Sequence, residues 1–192
     1  MSTIIQKDDL SIAILSGGKS SRMDYEDKGL IEFNGFSVLS RIVKLSCKYS
    51  NDVFVITNNN LEEYKKLHPH IHSDILDDYQ GPLSGIYTAL SKCKNKHVII
   101  LPCDGPFIRG DYFEKLINCG EDQNILVVKT GDRLQPVYAR LASSLKENLK
   151  EFLETGERKI DKWYNACGYK DIRFEQSDEM FININSKDDI EK

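Results

Sequence analysis

An α/β fold with a mostly parallel central sheet is predicted for this 192-residue chain by two observations. Short apolar runs alternate along the sequence with segments whose apolar residues recur at helical spacing, the pattern of strands covered by helices. Hydrophobic residues at 40% and charged residues at 29% are those of an ordinary globular protein, with neither collagen-like nor disordered bias.

Strands are expected at Ser11 to Leu15, Asp52 to Thr57, Ile71 to Leu76, His97 to Leu101 and Asn124 to Val128. Between them, Leu39, Ile42, Val43 and Cys47 share one helical face, and Leu83, Ile86, Tyr87 and Leu90 share another, which gives a repeated β-α-β unit. After Thr130 the pattern changes. Gln135 to Arg140 reads as a strand, and Leu141, Leu145, Leu149, Phe152 and Leu153 mark an amphipathic helix that Gly156 ends. A late strand at Phe181 to Ile184 precedes a short last helix. No repeat or linker marks a boundary, so residues 1–192 are expected to form a single domain.

The net charge of −4 argues against a general nucleic-acid or anionic-membrane binder, which needs a basic footprint. The amino-terminal residues lack an apolar signal core, and no stretch approaches the length of a membrane span, so a soluble cytoplasmic protein is expected. Cys47, Cys93, Cys103, Cys119 and Cys167 are odd in number and widely spaced, which suggests neither a disulfide frame nor a zinc site. Cys103 reads as a small core residue rather than a nucleophile, since no base stands near it in sequence. His68, His70 and His72 alternate, but without a second ligand group they read as an exposed strand start rather than a metal site.

Ligands of open α/β sheets bind beyond the carboxyl ends of the strands, so the loops there carry the chemistry. The first strand runs into SGGKSSRMDYEDKGL, where Gly17 and Gly18 allow close backbone approach and Lys19, Arg22 and Lys28 can neutralise phosphate. The loop matches neither common nucleotide fingerprint, and a plain turn with solvated charges reads equally well. A second segment, DILDDYQGPLSGIYTAL, passes through Gly81 and Pro82 into a helix, with Gly85 one turn later. In the third, HVIILPCDGPF, Asp104 directly follows a buried strand, a place suited either to an Asx turn or to Mg²⁺, a hard cation that takes few protein carboxylates. The late segment FININ alternates amides with isoleucines, so Asn183 and Asn185 would share one face.

Taken in order, these segments resemble the molybdenum cofactor guanylyltransferases of the nucleotidylyltransferase superfamily. The likeness runs from Ile12 to Ile190 and is carried by LSGGKSSRMDYEDKG, the Asp74-to-Gly85 segment, PCDGPF, GERKI and FININS. It implies a three-layer Rossmann-like nucleotidyltransferase fold. It further implies that Leu15, Ser16, Gly17 and Gly18 meet the nucleotide's base side, with Gly18 favouring guanine, and that Arg22 and Lys28 meet its phosphates. Asp74, Gly81 and Gly85 would line the nucleotide site, Asp104 would hold Mg²⁺, and Arg158, Asn183 and Asn185 would face the acceptor. Asp24 and Tyr25 stand where family members commonly carry glycine.

The implied reaction is transfer of GMP from GTP to the terminal phosphate of molybdopterin or its molybdenum-bearing form, releasing pyrophosphate and leaving molybdopterin guanine dinucleotide. Arg22, Lys28 and Asp104 would be its catalytic residues, with room for transient contact with proteins that deliver or receive the cofactor. Since a phosphate monoester is largely dianionic at neutral pH, no Ser, Cys or His base is required. Two other readings stay open: a CTP- or UTP-dependent transferase with another phosphorylated acceptor, and a nucleotide-binding relative without turnover.

Overall fold

A computed structural model of the chain describes residues 5–16, 27–33, 35–76, 81–175 and 179–184. Gly17, Gly18, Lys19, Arg22, Asp24, Tyr25 and Asn185, singled out above, lie outside the described residues, as does the expected last helix.

The first apolar run forms β1, Leu10–Ser16. A 3₁₀ turn at Lys28–Leu30 leads to a small hairpin of β2, Glu32–Phe33, and β3, Phe36–Ser37. The Ser37 hydroxyl then accepts from the Ser40 amide and caps α1, Val38–Ser46. Next come β4, Asp52–Thr57, and α2, Leu61–Leu67, then the two-residue β5, Ile71–His72. The chain continues through α3, Pro82–Lys92, β6, His97–Pro102, and α4, Gly110–Asn118. A hairpin of β7, Ile125–Thr130, and β8, Arg133–Ala142, precedes α5, Lys146–Glu154, α6, Ile160–Cys167, and β9, Lys170–Phe174.

Seven strands join in the order β5-β4-β1-β6-β8-β7-β9. β8 runs antiparallel to both its neighbours, and the other pairings are parallel. Alternation along β1 divides the core: Ile12 and Ile14 pack with α1 and α4, whereas Ala13 and Leu15 pack with α3, α5 and α6. The result is the expected three-layer arrangement.

Several expectations are corrected. The strand expected over Ile71 to Leu76 stops at His72. Leu141 belongs to β8, where it is buried, and α5 begins only at Lys146. Cys47 is the exposed cap residue of α1. Phe181 to Ile184 is no strand. A 3₁₀ turn covers Glu179–Phe181, Phe181 and Ile184 are buried, and Ile182 points out, so the two isoleucines do not share a side. The parallel edge of the sheet is filled by β9 instead, whose alternating Ile172 and Phe174 face the core. α2, α4 and α6 were not foreseen. α2 buries only Tyr64, too little for a periodic signal.

His68, His70 and His72 do not converge on a ligand. His68 Nε2 lies 2.7 Å from the Val53 carbonyl and so carries its proton there, while the His72 ring meets Phe54 edge-on. Among the described residues no group of three or more His, Cys, Asp or Glu is placed to hold a metal, and no helix is long and apolar enough to cross a membrane.

Arg140 is fully buried on β8, with no carboxylate partner among the described ion pairs. Its Nη1 donates to the Leu116 carbonyl at 2.6 Å, and Nη2 donates to that of Gly120, so it closes the carboxyl end of α4, where a helix favours a cation. Burial holds its guanidinium down to about 10. Arg140→Ala should cost about 3 kcal/mol in urea denaturation, from two stranded carbonyls and a cavity. Arg140→Lys should recover part of that loss, and an unchanged midpoint in both variants would remove the capping role.

Candidate active site

The parallel pairing of β1 and β6 ends at Leu15 and Pro102, and one further bond, from the Cys103 amide to the Leu15 carbonyl at 3.0 Å, extends it. Because β1 sends the chain first to β4 on one side and only later to β6 on the other, this is the sheet's topological switch point. Ser16 and Cys103 therefore stand side by side although 87 positions apart, with Asp104 next along the chain. Pro102 and Pro106 bracket the turn that lifts Asp104 off the sheet.

Asp104 is the electrostatic centre of this end. Its Oδ2 lies 3.5 Å from Lys28 Nζ, an ion pair rather than a tight hydrogen bond. Its Oδ1 is buried and lacks a hydrogen-bond partner among the described residues. Burial raises the carboxyl above the usual carboxylate range, and Lys28 works against that shift. A buried carboxylate oxygen without a donor is costly, and a hard cation that accepts oxygen ligands would satisfy it. The residues present therefore fit Mg²⁺, with Asp104 as the protein ligand.

Lys28 is held from behind. Asp27 opens its 3₁₀ turn by accepting from the Gly29 amide at 3.2 Å, and it also accepts from Asn60 Nδ2 at 3.0 Å and from the Tyr64 hydroxyl at 2.5 Å. The Tyr64 hydroxyl contacts Ser16 Oγ as well, and Cys103 Sγ donates to Ser16 Oγ at 3.2 Å. Cys103 is buried, and burial pushes its thiol up to about 12. At neutral pH it is a thiol and not a nucleophile, which agrees with its reading as a core residue.

A second cluster sits on the other face of the same strand end. Gly85 lies one turn into α3, and a Cβ there would stand 3.5 Å from Leu15 Cδ2 and 3.8 Å from Asp74 Oδ1, so Leu15, Gly85 and Asp74 are neighbours. Asp74 is oriented by a reciprocal pair: Asn58 Nδ2 donates to its Oδ2 at 2.9 Å, and its own amide donates to Asn58 Oδ1 at 2.8 Å. Thr88 Oγ1 adds a longer contact to Oδ1 at 3.4 Å. Gly81, with φ of 131°, is the residue before α3, and Pro82 takes the first helical position as expected.

The amide segment also reaches this end. The Ile184 amide donates to the Asp104 carbonyl at 2.9 Å, and Asn183 Oδ1 accepts from the Tyr138 hydroxyl at 3.2 Å. Tyr138 in turn packs against Gly105, where any Cβ would collide with its hydroxyl. Arg158 is placed in the α5–α6 connection, and its Nη1 donates to the carbonyls of Leu153 at 2.8 Å and Glu157 at 2.7 Å. Those bonds close the end of α5 and tie Arg158 to no other expected site residue. Gln135, before Pro136, bonds Thr130 Oγ1 at 3.0 Å within the β7–β8 hairpin.

Sequence reasoning passed over Tyr64, Asn60, Asn58 and Tyr138. The Asn58-Asn59-Asn60 run after β4 was the one available signal, since polar residues beyond a strand's carboxyl end are placed toward the site.

The Rossmann-like sheet is the fold of solved nucleotidyltransferase structures. The molybdopterin-guanine dinucleotide biosynthesis protein A of Archaeoglobus fulgidus matches with a TM-score of 0.73 at 20% identity, covering 94% of this chain and 95% of that one. A 4-diphosphocytidyl-2C-methyl-D-erythritol synthase from Anaerococcus prevotii matches with a TM-score of 0.73 at 14% identity, covering 96% and 93%. Residues 12–169 match the model of the MobA-like NTP transferase domain. The chain is 34% identical over 185 residues to a molybdenum cofactor guanylyltransferase of Haemophilus influenzae, covering 95% of this chain and 96% of that protein. It is 31% identical over 183 residues to the protein so named in Photobacterium profundum, covering 95% and 94%. The chain belongs to the MobA-like NTP transferase family, in its molybdenum cofactor guanylyltransferase branch, and is a nucleotidyltransferase.

The close approach of Gly29 to Tyr64 gives a test of the site's packing. A Cβ on Gly29 would lie 2.6 Å from the Tyr64 hydroxyl and 3.3 Å from its ring. Tyr64 is buried and cannot swing away, so Gly29→Ala must displace the Lys28 turn. A loss of about 1–3 kcal/mol is expected by chemical denaturation. Wild-type stability would mean that the turn already stands off from α2.

Proposed function

We propose that the chain transfers GMP from GTP to the terminal phosphate of molybdopterin, with or without its molybdenum, releasing pyrophosphate and forming the guanine dinucleotide cofactor. The observation that supports this reading most directly is the Lys28–Asp104 pair at the sheet's switch point, whose second carboxylate oxygen has no partner among the described residues, in a chain whose relatives carry the guanylyltransferase name. The cytoplasm, where nucleoside triphosphates are plentiful, is the compartment the reaction calls for.

The acceptor phosphate is its own nucleophile, so the residues have to align two anions and neutralise the charge that builds on the leaving pyrophosphate. Lys28 and Arg22 are assigned to the triphosphate and Leu15, Ser16, Gly17 and Gly18 to the base side. Asp74 borders that pocket beside Gly85, with Gly81 opening the helix, and guanine's N1–H and N2–H are donors a carboxylate or backbone carbonyl can accept. Asn183, Asn185 and Arg158 are assigned to the acceptor. Asp104 would hold Mg²⁺, which when bound neutralises phosphate oxygens and so favours loss of pyrophosphate. Lys28, 3.5 Å from Asp104 in the described state, is placed to exchange that contact for a phosphate oxygen.

Thermal stabilisation by GTP, CTP, UTP and ATP, each with Mg²⁺, tests the donor. GTP alone should raise the melting temperature. A larger shift with CTP or UTP would replace the guanylyl reading with that of another transferase, and no shift with any would favour a relative without turnover. Asp104→Asn should lower kcat by about 100-fold or more while changing the KM for GTP by less than about threefold. Equal turnover at saturating Mg²⁺ would sink the assignment of Asp104.

A further inference from the structure

The hydrogen bonds behind Lys28 have a direction. Tyr64 has one hydroxyl proton and donates it to Asp27 Oδ1 at 2.5 Å, so toward Ser16 it can only accept. Ser16 must then donate to Tyr64, which leaves its oxygen free to accept from Cys103 Sγ. The chain thus runs from the Cys103 thiol through the Ser16 and Tyr64 hydroxyls to the Asp27 carboxylate. Its two ends are the covalent neighbours of Asp104 and Lys28, which face each other across 3.5 Å. Thiol, two hydroxyls, carboxylate, ammonium and carboxylate therefore close a ring that spans β1, α2, the β6 end and the Lys28–Leu30 turn.

We infer that Tyr64 is a positioning residue, which sets Lys28 opposite Asp104 by anchoring Asp27 and fixes the Ser16 hydroxyl at the end of β1. This rests on the nucleotidyl-transfer reading for what Lys28 does, but not for where it is held. Three facts favour positioning over plain packing. Tyr64 is the only residue of α2 buried among its neighbours, so the helix contributes little else. Its hydroxyl, deep in the protein, bonds two site residues, Asp27 and Ser16. Asn60, at the start of the same helix, grips the second oxygen of Asp27 at 3.0 Å, so α2 holds that carboxylate by both oxygens.

Tyr64→Phe removes only the hydroxyl and keeps the ring. Combined with Lys28→Ala in a double-mutant cycle, it separates the two roles. Pyrophosphate release should show about a tenfold fall in kcat/KM for Tyr64→Phe, a larger fall for Lys28→Ala, and no further fall in the double variant. Independently of activity, hydrogen exchange of the amides in residues 27–31 should accelerate in Tyr64→Phe, while that of β4 stays at the wild-type rate. Should Tyr64→Phe fail to fold, Asn60→Gly makes the same test, because glycine accepts the φ of 50° found there and deletes only the amide grip. It should speed exchange in the same segment and lower kcat/KM in the same direction by a smaller factor.

Additive losses in the cycle, or wild-type exchange over residues 27–31, would overturn the positioning role. If instead the wild-type chain releases no pyrophosphate with any triphosphate, the transfer reading falls while the exchange result still decides whether Tyr64 holds the segment.

Discussion

Everything at the site depends on the parallel pairing of β1 with β6. The two strands are separated by the whole of α1, β4, α2, β5 and α3, and they can run side by side in one direction only because the chain crosses over between them. That pairing puts Ser16 and Cys103 within hydrogen-bond reach and sets Asp104 at the rim with one oxygen toward Lys28. Had β6 run antiparallel, its carboxyl end would lie at the opposite edge of the sheet. The charge pair would then not exist.

The pair also shows how the proposed anion site is compatible with a net charge of −4. Asp104 is raised by burial and so resists being charged in isolation, and Lys28 offsets part of that cost without quenching it, since the gap is 3.5 Å and one oxygen has no partner among the described residues. Such an arrangement is poised between partners. On the proposed reading a triphosphate would bring oxygens for Lys28 and a divalent cation would fill the coordination of Asp104, each favouring the other's binding because their charges are opposite. Global charge therefore says little here, and the balance is set over a few ångströms.

The sheet was legible because its strands are buried on both faces and read as apolar runs, and β4 falls on the residues expected for it. What escaped the sequence escaped for physical reasons. α2 buries one side chain, and α6 places Trp163 and Tyr164 next to each other, so neither carries a clear stripe. The end of the chain was misread because alternation in FININ looks like a strand. The segment instead turns, buries Phe181 against Tyr138, and bonds the Asp104 carbonyl through Ile184. Local pattern fixes the period of a segment, and tertiary partners decide whether it pairs. Of the site, Lys28, Asp104, Asp74 and Gly85 were visible as residue types after strands. Their supports were not, because a tyrosine at a helix centre looks like core whichever way its hydroxyl points.

The alternation of β1 carries one more consequence. Leu15 and Ser16 are successive residues, so their side chains leave the sheet on opposite faces. Leu15 meets Gly85 and, through it, Asp74 with its Asn58 clasp, while Ser16 meets Tyr64, Cys103 and the anchor of Lys28. The strand end thus divides the site into two clusters on separate helix layers, one around the half-buried Asp74 carboxylate and one around the charge pair. A one-residue slip of β1 against β4 and β6 would exchange the two faces and break both clusters at once. The core of β1, with Ile12 and Ile14 on one side and Ala13 and Leu15 on the other, makes that slip costly, since it would move an isoleucine into the space shaped for Ala13. Packing in the sheet's centre is in this way what keeps the two halves of the site in register.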